Sequence, residues 1–582
     1  MGGFLYIAKE SSEAVEAVAA RYQTSLEALK CKGLRLKHTI AQNGFVLFLF
    51  DKAHVSSDNF LSLPNDDFIC ATGTFIYRQQ TGAKGLRNLY DDFSTTSKVF
   101  NDLRGHFCVL LRKNGQLYIF NDFGGVYHVF GNPTRTVISN SFLALVKSLP
   151  KKSVSTQELY EYVLFGGMYG DKTLIREITL LNSQQVYQLP DLSSHPKSIK
   201  SPVRDSSSNS DLVASTASEL TSYFEVLKKN FGDDACSGLS GGYDSRLMLA
   251  LMRKVRINPK LYVYGAADSL DVRIAQEIAR SENLPISYFD RKNGTPVSLD
   301  QFRETLLEQF HFVDGRGVSG TFSHGTDAMT RKARVESAPL HLNGGGGEIY
   351  RNFWKLPDRS LTAEMFVRIV YEQGVAHRLP ALTSEFSPKG FFETFSDKIK
   401  VAVGAKDEKL TRPMIESVYP AIRLKYWMGS NNSSNNLLSY SVTPFAEPAF
   451  TIPSGDIPFR FKCHGQFESA LIRELDVKLA KYPSTYGFNF FDPISWSARV
   501  KNQFRYQTRY FLRPVLPTAV FTRIMRRQHV SSLPYYAEPR YLKQIFPETE
   551  FAISQYIDLK KVTDAEQLNR ALTAEIVLQN CF

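Results

Sequence analysis

The pattern of apolar and polar positions divides the chain into two parts. Up to about Leu189 the apolar residues come in short runs separated by turn residues, and Asn114-Gly115 has the composition of a hairpin turn. Runs of this kind predict strands and turns with some helix between them. The predicted strands are residues 44–51, 68–77, 105–112 and 116–121.

Beyond about residue 210 short apolar runs alternate with helical periodicity. A helix is predicted to start near Ser210 or Asp211, because its apolar residues recur at helical spacing. Alternation of strands and helices predicts a doubly wound parallel sheet with its ligand at the carboxyl ends of the strands. The predicted elements are strand 235–239, helix 246–253, strand 260–265 and helix 271–281, and a mainly helical region from about residue 360.

The length and the polar stretches of the chain predict two domains. A chain of 582 residues exceeds what one core usually organises. The stretch from Pro190 to Asn209 is rich in serine and proline, which is typical of a linker. We therefore expect a first domain over residues 1–190, a linker over 191–209 and a second domain over 210–582.

Composition favours a cytoplasmic globular protein. Hydrophobic residues make up 43% and charged residues 22% of the chain, and no apolar run is long enough to span a bilayer. The amino terminus lacks the basic and apolar regions of a signal peptide, and the six cysteines form no CxxC pair or zinc spacing.

The net charge of +12 is concentrated late in the chain. Residues 493–537 contain no acidic residue, and their arginines and lysines alternate with aromatic residues. We expect a basic helical extension here. Its partner would be anionic, either nucleic acid, lipid or an anionic substrate, although a solvated surface paired with carboxylates elsewhere would give the same composition.

The sequence Leu239-Ser-Gly-Gly-Tyr-Asp-Ser-Arg246 predicts a phosphate-binding loop between a strand and a helix. Gly241 and Gly242 let the backbone approach an anion, and the first N–H groups of the helix point at it. A carboxylate at Asp244 would repel a phosphate unless magnesium bridges the two. The alternative is a purely structural surface turn of serine and glycine that ends in an aspartate cap and binds no ligand.

This loop resembles the pyrophosphate loop of the N-type ATP pyrophosphatases, and no Walker sequence occurs in the chain. The resemblance implies ATP and magnesium as cofactors and cleavage of ATP to AMP and pyrophosphate through an adenylated substrate. The resemblance also implies which residues hold the nucleotide, with Asp244 binding the metal as well. These residues are Leu239, Ser240, Gly241, Gly242, Asp244 and Ser245.

The order of phrases in the first part resembles the glutaminase half of asparagine synthetases. These phrases are residues 71–77, 103–109, 117–125 and 138–141. The resemblance covers most of the chain up to about Phe353. It implies an α/β protein: an Ntn-hydrolase-like αββα sandwich followed by a doubly wound parallel-sheet ATP pyrophosphatase domain, of the adenine nucleotide α-hydrolase kind, with extra helices.

Two departures imply that the first domain is a degenerate class II glutamine amidotransferase. Such glutaminases use a cysteine directly after Met1, but Gly2 stands there and has neither thiol nor hydroxyl. Their glutamine-binding phrase is replaced by residues 73–78, which end in Arg78. We expect the first domain to be a scaffold that produces no ammonia.

The resemblance places further site residues in the second domain. Tyr264 and Gly265 would offer backbone groups to adenine, although the next residues would also cap a helix. In the glycine-rich run 343–348, Gly344 and Gly345 would contact the nucleotide. The metal-binding aspartate of the family aligns with Gly347, so Glu348 or a water must take its metal and catalytic role.

Two basic residues are candidates for stabilising the charge that develops during catalysis. Arg246 lies in the first turn after the loop and could hold pyrophosphate, or it could be a helix-surface arginine. Family synthetases carry a lysine after a late proline. This chain has Lys481 before Pro483 and none directly after it.

Two functions follow from these residues. The first is ATP-dependent formation of an amide from a small-molecule, peptide or glycan carboxylate, with an amine or ammonia as the nitrogen donor. Loss of the cysteine favours an amine substrate, as in β-lactam synthetases and lasso-peptide cyclases. The alternative is a nucleotide-binding pseudoenzyme, indicated by Gly2, Gly347 and the displaced lysine. A tRNA-modifying enzyme is disfavoured because paired cysteines are absent, so we do not expect nucleic acid as the partner.

Overall fold

The computed structural model describes residues 1–579 except residue 11 and seven short segments. These segments are 96–97, 191–192, 200–207, 291–296, 323–325, 512–519 together with 521–532, and 548–549.

The first part of the chain forms two antiparallel six-stranded sheets. The first has the order β10-β8-β9-β1-β3-β2 and the second β12-β11-β7-β6-β5-β4. The predicted hairpin at residues 114–115 joins β6 to β7. The strands are β1 Gly3–Ala8, β2 Arg35–Gln42, β3 Phe45–Asp51, β4 Phe60–Ser62, β5 Phe68–Tyr77, β6 Leu103–Lys113, β7 Gln116–Asn121, β8 Phe130–Gly131, β9 Val137–Ser139, β10 Thr179–Leu180, β11 Gln185–Leu189 and β12 Ser194–Pro196.

Helices cover the outer face of each sheet, so the first part is an αββα sandwich. The facing sides of the two sheets share one core, which includes Phe4 and Tyr6 from β1 and Leu110 from β6. A second core lies between the other face of the second sheet and one helix. The helices of this part are α1 Val15–Arg21, α2 Gln23–Lys30, α3 Gly82–Asp92, α4 Phe142–Ser148 and α5 Thr156–Phe165.

The second of the two antiparallel sheets continues past the expected domain boundary at Pro190. Strand β12 pairs with β11 along the sheet edge, and the buried ammonium of Lys197 contacts the carbonyls of Asn121 and Ser183. Part of the expected linker is therefore packed structure, while its central residues 200–207 lie outside the described residues.

The second part contains a five-stranded sheet in which every neighbouring pair is parallel, in the order β15-β14-β13-β16-β19. This confirms the predicted parallel sheet, although the sequence analysis identified only its strands β13 and β14 and missed β15, β16 and β19. A separate two-stranded ribbon joins β17 to β18. These strands are β13 Asp234–Gly238, β14 Asn258–Gly265, β15 Ile286–Asp290, β16 Leu340–Leu342, β17 Leu361–Thr362, β18 Lys409–Leu410 and β19 Tyr440–Val442.

Helices pack on the sheet and fill the rest of the second part. Apolar residues of the three helices nearest the phosphate loop are buried against the sheet, as their periodicity predicts. The helices are α6 Asn209–Phe231, α7 Tyr243–Lys254, α8 Leu270–Ser281, α9 Leu299–Phe312, α10 Thr326–Ser337, α11 Ala363–Val367, α12 Gln373–Val375, α13 Pro388–Val403, α14 Arg412–Val418, α15 Gly429–Leu438, α16 Pro448–Thr451, α17 Phe459–Lys462, α18 Gln466–Leu475, α19 Val477–Lys481, α20 Trp496–Phe511, α21 Pro539–Ile545 and α22 Ala565–Gln579.

Buried polar contacts join the two parts. Lys32 forms an ion pair with Asp314, whose carboxylate also accepts hydrogen bonds from the backbone N–H groups of Phe142 and Leu143 at the start of α4. Burial would raise the pKa of Asp314, but the charges of Lys32 and Arg316 hold it below its usual value. The α4 helix is thus capped by a carboxylate from the other part.

The basic extension includes a helix, α20, that exposes large aromatic side chains. Within α20 the side chains of Trp496 and Phe504 are 79% and 72% exposed. Of the predicted strip, residues 512–519 and 521–532 lie outside the described residues. Among the helices that the structure describes, none combines the length and apolar character needed to cross a membrane.

Candidate active site

The phosphate loop lies where the sequence predicts it, between β13 and α7. Gly242 precedes the first turn of α7, and no side chain caps the N–H groups of that turn. A helix of twelve residues with an uncapped amino end presents several N–H donors and a partial positive charge to an anion. The loop therefore has the local geometry of an anion site.

Hydrogen bonds within the loop hold its hydroxyl groups in place. The Ser240 backbone N–H donates to Ser245 Oγ at 3.0 Å, and the two serine hydroxyls lie 2.9 Å apart. Gly241 N–H donates to Asp271 Oδ1 at 2.9 Å, and a Cβ at Gly241 would come within 2.5 Å of Thr485 Cγ2. Gly241 is thus needed for close packing of the loop against the segment around Thr485.

The glycine-rich run packs directly against α7. Gly346 has φ +100°, a conformation that favours glycine. A Cβ at Gly347 would lie 2.4 Å from Asp244 Oδ1, and one at Gly345 would lie 2.4 Å from the terminal methyl of Met428. Close packing therefore accounts for much of this run, which we expected to require a ligand. Gly344 and Gly345 also line the cavity described below.

Arg351 is the centre of a charged cluster that the sequence analysis did not find. Its Nη2 donates to Asp244 Oδ1 at 2.6 Å, its Nε lies 2.8 Å from Glu468 Oε2, and its Nη1 donates to the Tyr486 hydroxyl at 3.1 Å. Glu348 Oε1 is 3.8 Å from Nη2. One guanidinium thus faces three carboxylates.

Two carboxylates of this cluster, those of Asp244 and Glu468, have a raised pKa. Burial raises the pKa of Asp244 to about 6, and burial together with the neighbouring Asp244 raises the pKa of Glu468 well above its usual range. Glu348 accepts a hydrogen bond from the Tyr419 hydroxyl at 2.6 Å. The cluster therefore carries less negative charge near neutral pH than three carboxylates would suggest.

A cavity of about 1030 Å³ opens at the carboxyl end of the parallel sheet, where α/β folds bind ligands. It lies above the phosphate loop and the glycine-rich run. Its size exceeds that of most small-ligand pockets. Nine predicted site residues line it: Leu239, Ser240, Gly242, Asp244, Ser245, Tyr264, Gly344, Gly345 and Glu348.

The predicted adenine position lies at one side of this cavity. The Tyr264 ring is 43% exposed and stacks on Tyr262 at 6.1 Å between centroids. Gly265, with φ +148°, lies just outside the lining, and its carbonyl accepts a hydrogen bond from the Tyr288 hydroxyl at 3.1 Å. Aromatic and backbone groups are therefore present at the place where the resemblance puts the base.

Two candidate catalytic residues do not line the cavity. The fully buried Arg246 donates to the carbonyls of Tyr482 and Pro483, each at 2.8 Å, and its guanidinium lies over the Phe490 ring. Both predicted placements of Arg246 differ from this one, because the guanidinium fixes the backbone behind the loop. Lys481 is exposed, with its ammonium 4.8 Å from the centre of the Phe491 ring.

The residues present do not fit a resident magnesium ion. We expected Asp244 and Glu348 as ligands, but the Arg351 guanidinium is bound to Asp244 and lies beside Glu348. Position 347 has no room for a carboxylate-bearing side chain next to Asp244. Within the described parts of the chain, no group of three or more His, Cys, Asp or Glu residues could hold a metal ion.

A second cavity of about 570 Å³ adjoins the first and reaches the boundary between the two parts of the chain. The two cavities share Glu348, Arg351, Phe353 and Lys462. Lys425 lines the second cavity, and burial lowers its pKa. A second reactant placed there would lie next to the charged cluster.

The surroundings of Gly2 are crowded. A Cβ at this position would lie 3.0 Å from Lys52 Cα and 3.2 Å from Leu34 Cδ2, and the Gly2 carbonyl accepts a hydrogen bond from Asn140. The Arg78 side chain, expected at the amide site, pairs with Asp92 at 3.1 Å and is 55% exposed. The lack of space for a side chain at position 2 therefore argues against a cysteine nucleophile there. The exposed Arg78 is a weaker obstacle to glutaminase activity.

Comparisons with known proteins identify distant similarities in structure. No protein-family model matches the chain, and no curated protein matches it either. An allosteric regulatory enzyme of purine biosynthesis is similar with 8% identity and a TM-score of 0.23, over 51% of this chain and 68% of that one. The glutamine phosphoribosylpyrophosphate amidotransferase of B. subtilis, complexed with ADP and GMP, is similar with 8% identity and a TM-score of 0.20, over 50% and 65%. A U34-tRNA thiolase from Methanococcus maripaludis with a 4Fe-4S cluster is similar with 13% identity and a TM-score of 0.20, over 56% and 84%.

Proposed function

We propose that the protein binds ATP at the phosphate loop and uses it to form an amide by adenylating a substrate carboxylate. The observation that carries the proposal is the uncapped end of α7 beside the hydroxyls of Ser240 and Ser245, at the floor of a cavity of about 1030 Å³. Such a floor supplies donors for phosphate oxygens. The resemblance of the loop to the N-type ATP pyrophosphatases of the asparagine synthetase group supports the same reading.

The proposed reaction consists of two substitution steps, adenylation of the carboxylate and displacement of AMP by the nitrogen donor. A carboxylate oxygen of the substrate attacks the α-phosphorus of ATP, the bond from that phosphorus to the bridging oxygen of the β-phosphate breaks, and pyrophosphate leaves. The nitrogen donor then attacks the acyl carbon, AMP leaves, and the nitrogen loses a proton. The N–H groups of α7 and the Arg351 guanidinium stabilise the charge on the departing pyrophosphate.

The adjoining cavity is the proposed site for the carboxylate substrate. It opens onto the charged cluster, and its wall includes Lys425 and Lys462, which pair with the carboxylates of Asp171 and Glu416. We propose an amine of the substrate or free ammonia as the nitrogen donor, because the crowding at Gly2 speaks against a glutaminase in the first part. The substrate class remains a small-molecule, peptide or glycan carboxylate, and the proposed location is the cytoplasm.

A second candidate function is nucleotide binding without turnover. The observation that favours it is the ion pair between Asp244 and Arg351, which occupies the carboxylate expected to act through magnesium. An anionic partner at the basic extension, whose described part is α20, also stays a proposal. Both candidate functions require ATP in the same cavity.

Product analysis separates these candidates. The full chain incubated with ATP, magnesium and candidate carboxylates should release AMP and pyrophosphate, and mass spectrometry should detect the adenylated carboxylate. ATP binding without either product would support the second candidate. Release of ADP and phosphate would contradict the proposed cleavage between the α- and β-phosphates.

Substitution of Asp244 tests whether the loop carries the reaction. Asp244→Asn removes the charge that orients Arg351 and should lower pyrophosphate release by about a hundredfold or more. Glu277→Gln, an exposed substitution on α8, is the matched control and should leave release unchanged. Equal rates for Asp244→Asn and the wild type would exclude this cavity as the reaction site.

A further inference from the structure

The charged cluster contains a cation that belongs to the chain itself. The Arg351 guanidinium is held at 2.6 Å by Asp244 and at 2.8 Å by the fully buried Glu468, and the Tyr486 hydroxyl fixes its third nitrogen. Arg351 lines the same cavity as Ser240 and Ser245. A permanent positive charge is therefore anchored beside the phosphate loop.

Carboxylates at a phosphate site ordinarily need a cation to offset their repulsion of the ligand. Magnesium does this by binding one or two carboxylates together with phosphate oxygens. Here the guanidinium contacts Asp244 and lies 3.8 Å from Glu348, the two carboxylates that face the loop. A Cβ at the neighbouring Gly347 would lie 2.4 Å from Asp244 Oδ1, so position 347 supplies no further carboxylate in this arrangement.

We propose that Arg351 is the resident cation of this site, so that ATP binds without a divalent metal ion. The inference rests on the proposed nucleotide function. An arginine suits the role because its planar guanidinium stays charged and carries five N–H donors, so that each of its two terminal nitrogens keeps an N–H for a phosphate oxygen after its contacts with Asp244 and Tyr486. Its anchoring by carboxylates reduces the conformational entropy that binding would otherwise cost.

The remaining charges of the cavity also favour a metal-free anion. Among the described residues that line it, five are cationic and three are acidic. A concave site with an excess of positive charge attracts anions. The cationic residues are Arg331, Arg334, Arg351, Lys355 and Lys462, and the acidic ones are Asp244, Asp271 and Glu348.

The experiment is a titration of the full chain with ATP, measured by calorimetry in buffer containing EDTA and again in buffer containing magnesium. The wild type should bind with dissociation constants that agree within about threefold, a difference well below 1 kcal/mol. Binding that appears only with magnesium would overturn the inference and leave the proposed function intact. Absence of binding in both buffers would overturn both.

Substitution of Arg351 makes the test specific. In EDTA, Arg351→Gln should weaken ATP binding by about tenfold to a hundredfold, the loss of charged hydrogen bonds. Magnesium should restore part of this loss, because the released carboxylates can then bind the metal. Arg273→Gln, an exposed substitution on α8, is the matched control.

Unchanged binding by Arg351→Gln in EDTA would contradict the role of this residue. If Arg351→Gln does not fold, as judged by circular dichroism, Arg351→Lys keeps the charge but loses the paired hydrogen bonds. It should then bind ATP in EDTA with intermediate affinity. Affinity equal to that of the wild type would show that the guanidinium geometry is not used, and the comparison of the two buffers for the wild type decides the inference in any case.

Discussion

At the scale of single residues, the two arginines nearest the phosphate loop have different surroundings. Arg351 lines the cavity, whereas Arg246 is fully buried behind it and satisfies two carbonyl groups of the segment that follows α19. Arg246 directly follows the loop in the sequence, and Arg351 contacts the loop residue Asp244 in space. Their hydrogen-bond partners indicate that Arg351 can contact a ligand in the cavity, whereas Arg246 has a structural role.

Arg246→Gln should therefore destabilise the fold. The substitution removes two charged hydrogen bonds, to the carbonyls of Tyr482 and Pro483, and a cation from the face of Phe490, so the free energy of unfolding should fall by about 2–4 kcal/mol. Urea unfolding of the variant measures this. A variant with wild-type stability but no pyrophosphate release would instead show that Arg246 contacts the phosphates.

The sequence identifies the residues of the site that are adjacent along the chain. Ser240 to Ser245 could be found because strand, glycine turn and helix follow one another directly. Arg351 could not be found, because it is 107 residues from Asp244 in the sequence. Its position in the charged cluster also depends on an ion pair with Glu468 from a third segment. The signal available was an arginine shortly after the glycine-rich run.

At the scale of elements, α15 is the clearest departure from its sequence pattern. Residues 429–436 read Gly-Ser-Asn-Asn-Ser-Ser-Asn-Asn, a composition typical of a loop. The segment is nevertheless helical and largely buried, because its polar side chains find partners in both parts of the chain. Asn436 contacts Thr74 and the Ser441 carbonyl, and the Asn432 side chain donates to the carbonyl of Val126.

Asn436→Ala should weaken the contact between the two parts. It removes an amide that accepts from the Thr74 hydroxyl at 2.7 Å and donates to two carbonyls, so the free energy of unfolding should fall by about 2–3 kcal/mol. Thermal unfolding measures the loss. Glu393→Ala, on the exposed face of α13, is the control and should change stability by less than about 0.5 kcal/mol.

Two elements with predicted bounds agree closely with the structure. The strand predicted at 68–77 and the helix predicted at 271–281 correspond to Phe68–Tyr77 and Leu270–Ser281. The apolar residues of both elements are buried, so local pattern and tertiary packing agree. The three-residue strand Tyr440–Val442 is too short to give such a pattern, and its place is set by pairing with β16.

At the scale of the whole molecule, the resemblance implied the layers of each part, but nothing in the sequence indicated the contacts between the two parts. Hydrophobic patterns indicate strands and helices separately in each part. They do not show that Lys32 and Asp314, 282 residues apart, share a buried ion pair. Such pairs depend on the relative placement of two folded units.

Asp314→Asn should strongly destabilise the protein at neutral pH. It leaves the buried ammonium of Lys32 without its counter-charge, which costs about 3–5 kcal/mol. Because the pKa of Asp314 is lowered by folding, its stabilising effect is present above the ordinary aspartate pKa of about 4 and is lost as pH falls through the lower folded value. Urea unfolding of variant and wild type at several pH values should show curves that converge in acid. A constant difference at every pH would contradict this charge effect.

The polar helix α15 has one more consequence. Asn431 and Asn435 line the cavity above the phosphate loop, while Asn432 and Asn436 on the same helix form hydrogen bonds with Val126 and Thr74 of the first part. None of the described residues before Gly238 lines that cavity. The amino-terminal sandwich therefore supports one wall of this cavity from outside, through its contacts with α15. Deletion of the sandwich would remove these contacts and leave that wall without its packing partner.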